Sequence, residues 1–220
     1  MSEQKVMFGL ENLYYAPYIP GAGGARGEWA KPIRIPGAVS FSPSPQGNEY
    51  TFHADNIPYF HYTKDNGDAG DLVVAHFPDQ FLIDTLGWAK SVEGAIVELA
   101  NKVQKPFALL FEVKGVNSAD EEDPVRFVYY HVNGAKPAQT YTTMEDGASV
   151  QTQTMAIKAT PYAFDNNNAA TRVKVRKSLM PAVFESFFDA VFVPNLKQSV
   201  ESASATLLAA PASAEASSKK

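Results

Sequence analysis

Apolar and polar residues alternate with a period of two along most of the chain. Val6, Phe8 and Leu10 alternate near the start. Ile33, Ile35, Val39 and Phe41 follow on either side of Pro36-Gly37, where the pattern predicts a bulge or bend. The same period predicts strands from Leu72 to Phe77, Phe107 to Val113, Phe127 to Val132, Val150 to Ala159 and Arg172 to Arg176. Asn66-Gly67, Asn133-Gly134 and Asp146-Gly147 supply turn chemistry between them, because both residue types tolerate the left-handed backbone of tight hairpins. Many strands joined by such turns predict a mainly β fold, a sandwich or barrel with meander connections and one or two flanking α-helices.

Two segments carry the helical period instead. Pro78 and Asp79 supply a start signal, Phe81, Leu82 and Leu86 share a face, and Gly87 fits a C-terminal cap. Ser178 is placed to cap a second helix, Pro181 is compatible only with its first turn, and Phe184, Phe187, Phe188 and Val191 form one apolar stripe before Pro194. Such stripes ordinarily pack on a sheet; docking on a neighbouring subunit is the alternative for the second, which is strongly aromatic. From Leu196 the chain turns to Ser, Ala and Pro, with too little apolar surface to offset ordering entropy. Residues 1–195 are therefore expected to form one domain and 196–220 a flexible tail.

At 220 residues the chain can bury one sizeable core, and a 45% hydrophobic content with 14 Phe and 10 Tyr is that of a folded protein. It contains no cysteine, which removes disulfides and thiolate metal sites and leaves packing and association to stabilise the fold. A net charge of -5 and a pI near 5.4 lack the Lys and Arg surplus that a tight grip on phosphates requires. An acidic wall past which DNA slides is compatible with that balance. Met1 to Phe8 lack the apolar segment of a signal peptide, and no run approaches the ~18 apolar residues of a membrane span, so the expectation is a protein kept in the cytoplasm with no membrane partner.

Catalytic patterns are missing. His53, Asp55, His61 and His76 invite a metal, but no two histidines lie four apart on a predicted helix and the open-site zinc pattern has no match, so they are read as structural or surface groups. In Gly21 to Gly27, Arg26 stands where a dinucleotide fingerprint needs glycine, and no Gly-Lys-Ser/Thr follows for a P-loop; a mobile loop is the expectation. There is no Gly-x-Ser-x-Gly elbow and no thiol nucleophile. No catalytic residue, cofactor or metal is therefore expected. Two charge clusters are of more interest: Asp120, Glu121, Glu122 and Asp123 in a loop, and Arg172, Lys174 and Arg176 on one face of a strand. They are either solvated surfaces, since exposed charge pairs are individually weak, or inter-subunit contacts that meet across copies and fix orientation.

One stretch is more telling than the rest: Phe52-His53-Ala54-Asp55-Asn56-Ile57-Pro58-Tyr59-Phe60, followed by Gly70 to Gly87. It resembles a block of the major tail tube proteins of long-tailed bacteriophages. Gly9 to Pro17, Ile35 to Val39, Lys105 to Glu112, Arg126 to Tyr130 and Ala159 to Pro161 resemble further family segments in the expected order, so the likeness runs from Lys5 to about Asn195. The resemblance implies a structural subunit that assembles into stacked hexameric rings around a tape-measure protein, with terminator and tip proteins at the ends and DNA passing through the lumen without specific binding. It also implies assembly in the host cytoplasm and a place in the virion tail. The loops from Lys114 to Pro124 and Tyr14 to Pro32 are candidates for ring-to-ring contacts. The competing class is a carbohydrate- or receptor-binding β-sandwich, which would need Trp29 and Trp88 on an exposed platform; Trp88, beside a helix end, is expected to pack inward.

Overall fold

The computed structural model describes residues 3–24, 26–143, 150–164 and 168–195. The fold is mainly β. In chain order the strands are β1 (Gln4–Ile19), β2 (Glu28–Trp29), β3 (Ile33–Arg34), β4 (Ala38–Ala54), β5 (Ile57–Val74), β6 (Ala89–Lys90), β7 (Ile96–Val97), β8 (Phe107–Asn117), β9 (Val125–Gly134), β10 (Ala138–Gln139), β11 (Gln153–Thr160), β12 (Tyr162–Ala163), β13 (Ala169–Ala170) and β14 (Arg172–Arg176). The helices are α1 (Asp79–Leu86) and α2 (Pro181–Glu185).

One antiparallel sheet in the order β2-β1-β8-β9-β11-β5-β4 organises the chain, with β3 on β1, β10 on β11 and β14 on β9. β9 branches: β8 lies on one side, while β14 pairs with Val125 to Tyr129 and β11 with His131 to Gly134 on the other. The ladders do not close into a barrel, yet the ends curl toward each other. The Ile35 amide donates to the Leu13 carbonyl at 2.8 Å, and the Phe41 ring of β4 meets Phe111 of β8 edge-on at 5.3 Å between centroids.

The central strands are buried on both faces, which explains the near-continuous apolar run from Phe107 to Phe111. Phe107, Leu109 and Phe111 point into a core completed by Leu72, Val74, Phe77 and α1. Ala108 and Leu110 point into a second core with Tyr130, Tyr162, Phe184 and Phe187. α1 begins at Asp79 and ends at Gly87, whose φ of 70° caps it as the sequence pattern predicts. The second helix is shorter than its stripe. Only Pro181–Glu185 is α-helical, after which Phe187 and Asp189 bond three residues back. Ser178 does not cap it: its amide and hydroxyl both donate to Asp123. Phe184 and Phe187 are nevertheless buried against the sheet.

Two turn signals have other outcomes: Asn133-Gly134 is not a hairpin turn but the end of β9, where both residues pair with β11. Asn66-Gly67 sits inside β5 as a bulge, and the hairpin turn is Asp55-Asn56, both with positive φ. Asp146-Gly147 and residues 196–220 lie outside the described residues.

Candidate assembly interface

The β4–β5 hairpin is paired from Ala38↔Val74 out to Ala54↔Ile57, and beyond Gly47↔Asp65 it runs as a two-stranded ribbon with no third strand beside it among the described residues. Near the body, Phe41 and Leu72 share the face turned to the core. At the bulge β5 spends one residue more than β4, since Pro45 pairs with Asp68 but Gly47 with Asp65. Gly67 makes this possible: its φ is 93°, and a Cβ there would overlap the Ala159 carbonyl oxygen. The Gly67 amide donates to Asp65 Oδ1 at 2.8 Å, closing the bulge locally.

Apolar residues change sides beyond the bulge. Along β4 the core face continues as Gly47, Glu49 and Thr51, whereas Tyr50 and Phe52 fall on the opposite face with their cross-strand partners Tyr62 and Phe60. One face of the ribbon is thus aromatic and the other polar, where the His61 ring lies 3.1 Å and 3.3 Å from the hydroxyls of Thr51 and Thr63. Tyr50, Phe52, Ile57, Tyr59, Phe60 and Tyr62 are between 49% and 75% exposed. An isolated two-stranded ribbon is at best marginal in water, and such an exposed aromatic face is a candidate interaction surface. A second exposed apolar group lies on β1, where Val6, Met7 and Phe8 are about half exposed. Among the described residues, no strand pairs with the outer side of β4 or with that of β1 before Tyr14.

The two charge clusters meet within one chain at a single end. Pairing of β14 with β9 sets Arg176 opposite Val125, next to Asp123. Asp123 is buried and accepts from the Ser178 amide at 2.9 Å and hydroxyl at 2.7 Å, with Arg176 Nε at 4.0 Å. It anchors the entry to α2. The other acidic residues are exposed: Asp120 pairs with Lys5 at 2.6 Å, Glu121 accepts from Asn117, and Glu122 lies beside them. Arg172 donates to the Tyr129 hydroxyl at 3.0 Å and lies 3.7 Å from Asp68; burial pushes the Tyr129 hydroxyl up while the guanidinium pulls it down. Lys174 is exposed on the same strand. Of the two loops suggested for ring-to-ring contacts, Tyr14 to Ile19 belongs to β1 and Lys114 to Asn117 to β8.

The aromatic ribbon and the open edges are what sequence reading missed. Neither tryptophan forms a flat exposed platform. Trp29 donates to the Tyr130 carbonyl at 3.0 Å within the second core, and Trp88 packs on the first with Lys102 over its ring. No group of three or more His, Asp or Glu able to hold a metal occurs among the described residues, and no helix there is long and apolar enough to cross a membrane.

The model of the phage tail tube protein family matches residues 2–200. The chain belongs to that family. It is accordingly a structural component of a phage tail, and its place is the virion tail. No curated protein matches the chain. Among solved structures, the cap of the anti-feeding prophage, described as its tube terminating cap, aligns at 9% identity and a TM-score of 0.41 over 78% of this chain and 93% of that one. A chain from the six-fold symmetrised baseplate of the anti-feeding prophage aligns at 9% identity and a TM-score of 0.36, over 80% and 97%. For a family whose members act as structural parts, the ribbon and the open edges become the surfaces of first interest.

Proposed function

We propose that this chain is the repeating subunit of the tube itself: copies close into hexameric rings, and the rings stack around a tape-measure protein between terminator and tip proteins. The finished tube conducts DNA into the host without base-specific contact. The observation that supports this most is the aromatic face of the β4–β5 ribbon, a surface that a monomer leaves in water only at the risk of aggregation. The open sides of β1 and β4 support it too, because unprotected edges are a hazard to a monomer and useful where neighbouring copies complete a continuous sheet. A ribbon that docks elsewhere than on its own counterpart makes a heterologous contact, the kind that closes rings or repeats along an axis. Sixfold closure is what the family resemblance implies.

The exposed charges Asp120, Glu121, Glu122, Arg172 and Lys174 fix orientation and register between copies, while Asp123 and Arg176 hold their own chain together. Assembly takes place in the host cytoplasm. Negative-stain electron microscopy of the purified protein at low and high concentration tests the proposal: rings or hollow tubes of uniform width are expected, and compact monomers at every concentration would count against it.

A further inference from the structure

The curled ends of the sheet leave an apolar groove of about 300 Å³ between β1 and β4, open to solvent and floored by β8 and β9. Its walls are Met7, Leu10, Phe41 and Pro43, and its floor is the stacked pair Phe111 and Phe127, with ring centroids 5.3 Å apart. A bulge builds one wall. Gly9, at a φ of 68°, is the extra residue between Phe8↔Lys114 and Leu10↔Val113, so Met7 and Leu10 come to the same face although three apart. Met7 is 49% exposed, and Arg172 stands at the rim.

Resting on the assembly proposal above, we infer that the aromatic face of the β4–β5 ribbon of one copy seats in this groove of a second copy. Its own groove is out of reach. Pro43 lines the groove and Phe52 lies nine residues farther along the same strand, roughly 30 Å away at the rise of an extended strand. The unbroken ladder to Ala54↔Ile57 keeps the ribbon from folding back, and the change of side at the bulge turns its rings away from the face that Phe41 shares with the groove. Surface area is adequate as well. Tyr50, Phe52, Ile57, Phe60 and Tyr62, each about half exposed, offer on the order of 75–125 Å² apiece, together roughly 375–625 Å², a large part of the ~800 Å² per partner of a specific interface. The groove floor supplies rings for edge-on and offset stacking with the incoming ones. A second copy brings both surfaces at once, and each subunit then gives a ribbon and receives one.

The absence of cysteine allows a direct test. Two single-thiol variants, Phe60→Cys and Met7→Cys, are mixed at a concentration where the unmodified protein forms tubes, treated with a short bismaleimide, and the linked dimers identified by mass. His61→Cys replaces Phe60→Cys in the control, since its side chain leaves from the polar face. A mixed 60–7 dimer about tenfold more abundant than the 61–7 product is expected, because successive side chains of a strand point to opposite faces. Tubes with no excess of the mixed dimer overturn the groove and leave the tube proposal standing, as does a product joining two ribbons through Phe60→Cys. A mixed dimer without tubes upholds the groove and removes the tube. Neither tubes nor mixed dimer at any concentration overturns both. If Met7→Cys itself prevents tube formation, Leu10→Cys reports the same wall.

Discussion

Replacing Phe60 with serine separates assembly from folding. The ring is 54% exposed, so of the roughly 200 Å² that a buried aromatic removes from water, about 100 Å² waits for a partner. At ~25 cal/mol per Å² that area stabilises a docked ribbon by up to about 2.5 kcal/mol, and by about 1 kcal/mol if less than half is covered. The critical concentration for polymerisation should then rise by a factor of about 5 to 60, using ~1.4 kcal/mol per decade. The free subunit loses only the cross-strand pair with Phe52, about 0.2–1 kcal/mol. For a domain of this size each kcal/mol moves Tm by ~2–4 °C, so the melting temperature of the unassembled protein should fall by no more than about 4 °C. Pelleting across a concentration series gives the first quantity and calorimetry of dilute protein the second. Thr63→Ala, on the polar face, should leave the critical concentration within about twofold, as a surface change worth under ~0.5 kcal/mol would. An unchanged critical concentration for Phe60→Ser at a native Tm would refute the idea that this face drives assembly.

Other substitutions test other parts of the structure. Gly67→Ala forces a side chain into a positive φ against the Ala159 carbonyl and should cost about 1–3 kcal/mol from backbone strain alone, seen as a lowered denaturant midpoint. Asp123→Ala removes the buried carboxylate that accepts from the Ser178 amide and hydroxyl; because Ser178 itself is exposed and can turn to water, a loss of about 0.5–1.5 kcal/mol is expected, with faster proteolysis after Lys177 as a second readout. Burial holds the His131 imidazole below its ordinary value, so its neutral form is favoured in the fold: this part of the stability is full above about pH 6.5 and is lost as the pH falls below that, toward the lower folded value. Stability measured against pH should therefore decline less steeply on the acid side in His131→Gln. Lys174→Glu, on the exposed face of β14, should impair assembly with little change in Tm; unimpaired assembly would remove that strand from the contact set.

The sheet interior was the most legible part of the sequence. β8 and β9 lie where the sequence pattern predicts strands from Phe107 to Val113 and from Phe127 to Val132, and β14 has the bounds that alternation suggests. The ribbon was not legible, for a physical reason. Pro43, Pro45 and Gly47 interrupt β4 with residues that argue against a central strand, and they are tolerated because, among the described residues, no strand pairs with its outer side. The hydrophobic phase also reverses at Gly67, so a continuous period from Phe41 to Phe52 does not exist to be found. Asn66-Gly67 has the chemistry of a turn, and the chain uses the same positive φ for a bulge. The charge clusters were legible as charged but not as partners. Arg176 reaches Asp123 only because β14 pairs with β9, a consequence of sheet order that residue types do not encode. The aromatic stripe of α2 packs inward as its period suggests, although most of it is not helical.

Copy number in the intact particle tests the central claim most directly. Quantitative mass spectrometry of purified virions against the major capsid protein, on particles with tails of different length, should find this chain in many copies whose number rises in proportion to tail length. A small fixed number per virion, independent of tail length, would contradict a tube subunit and assign the chain to one end of the tail.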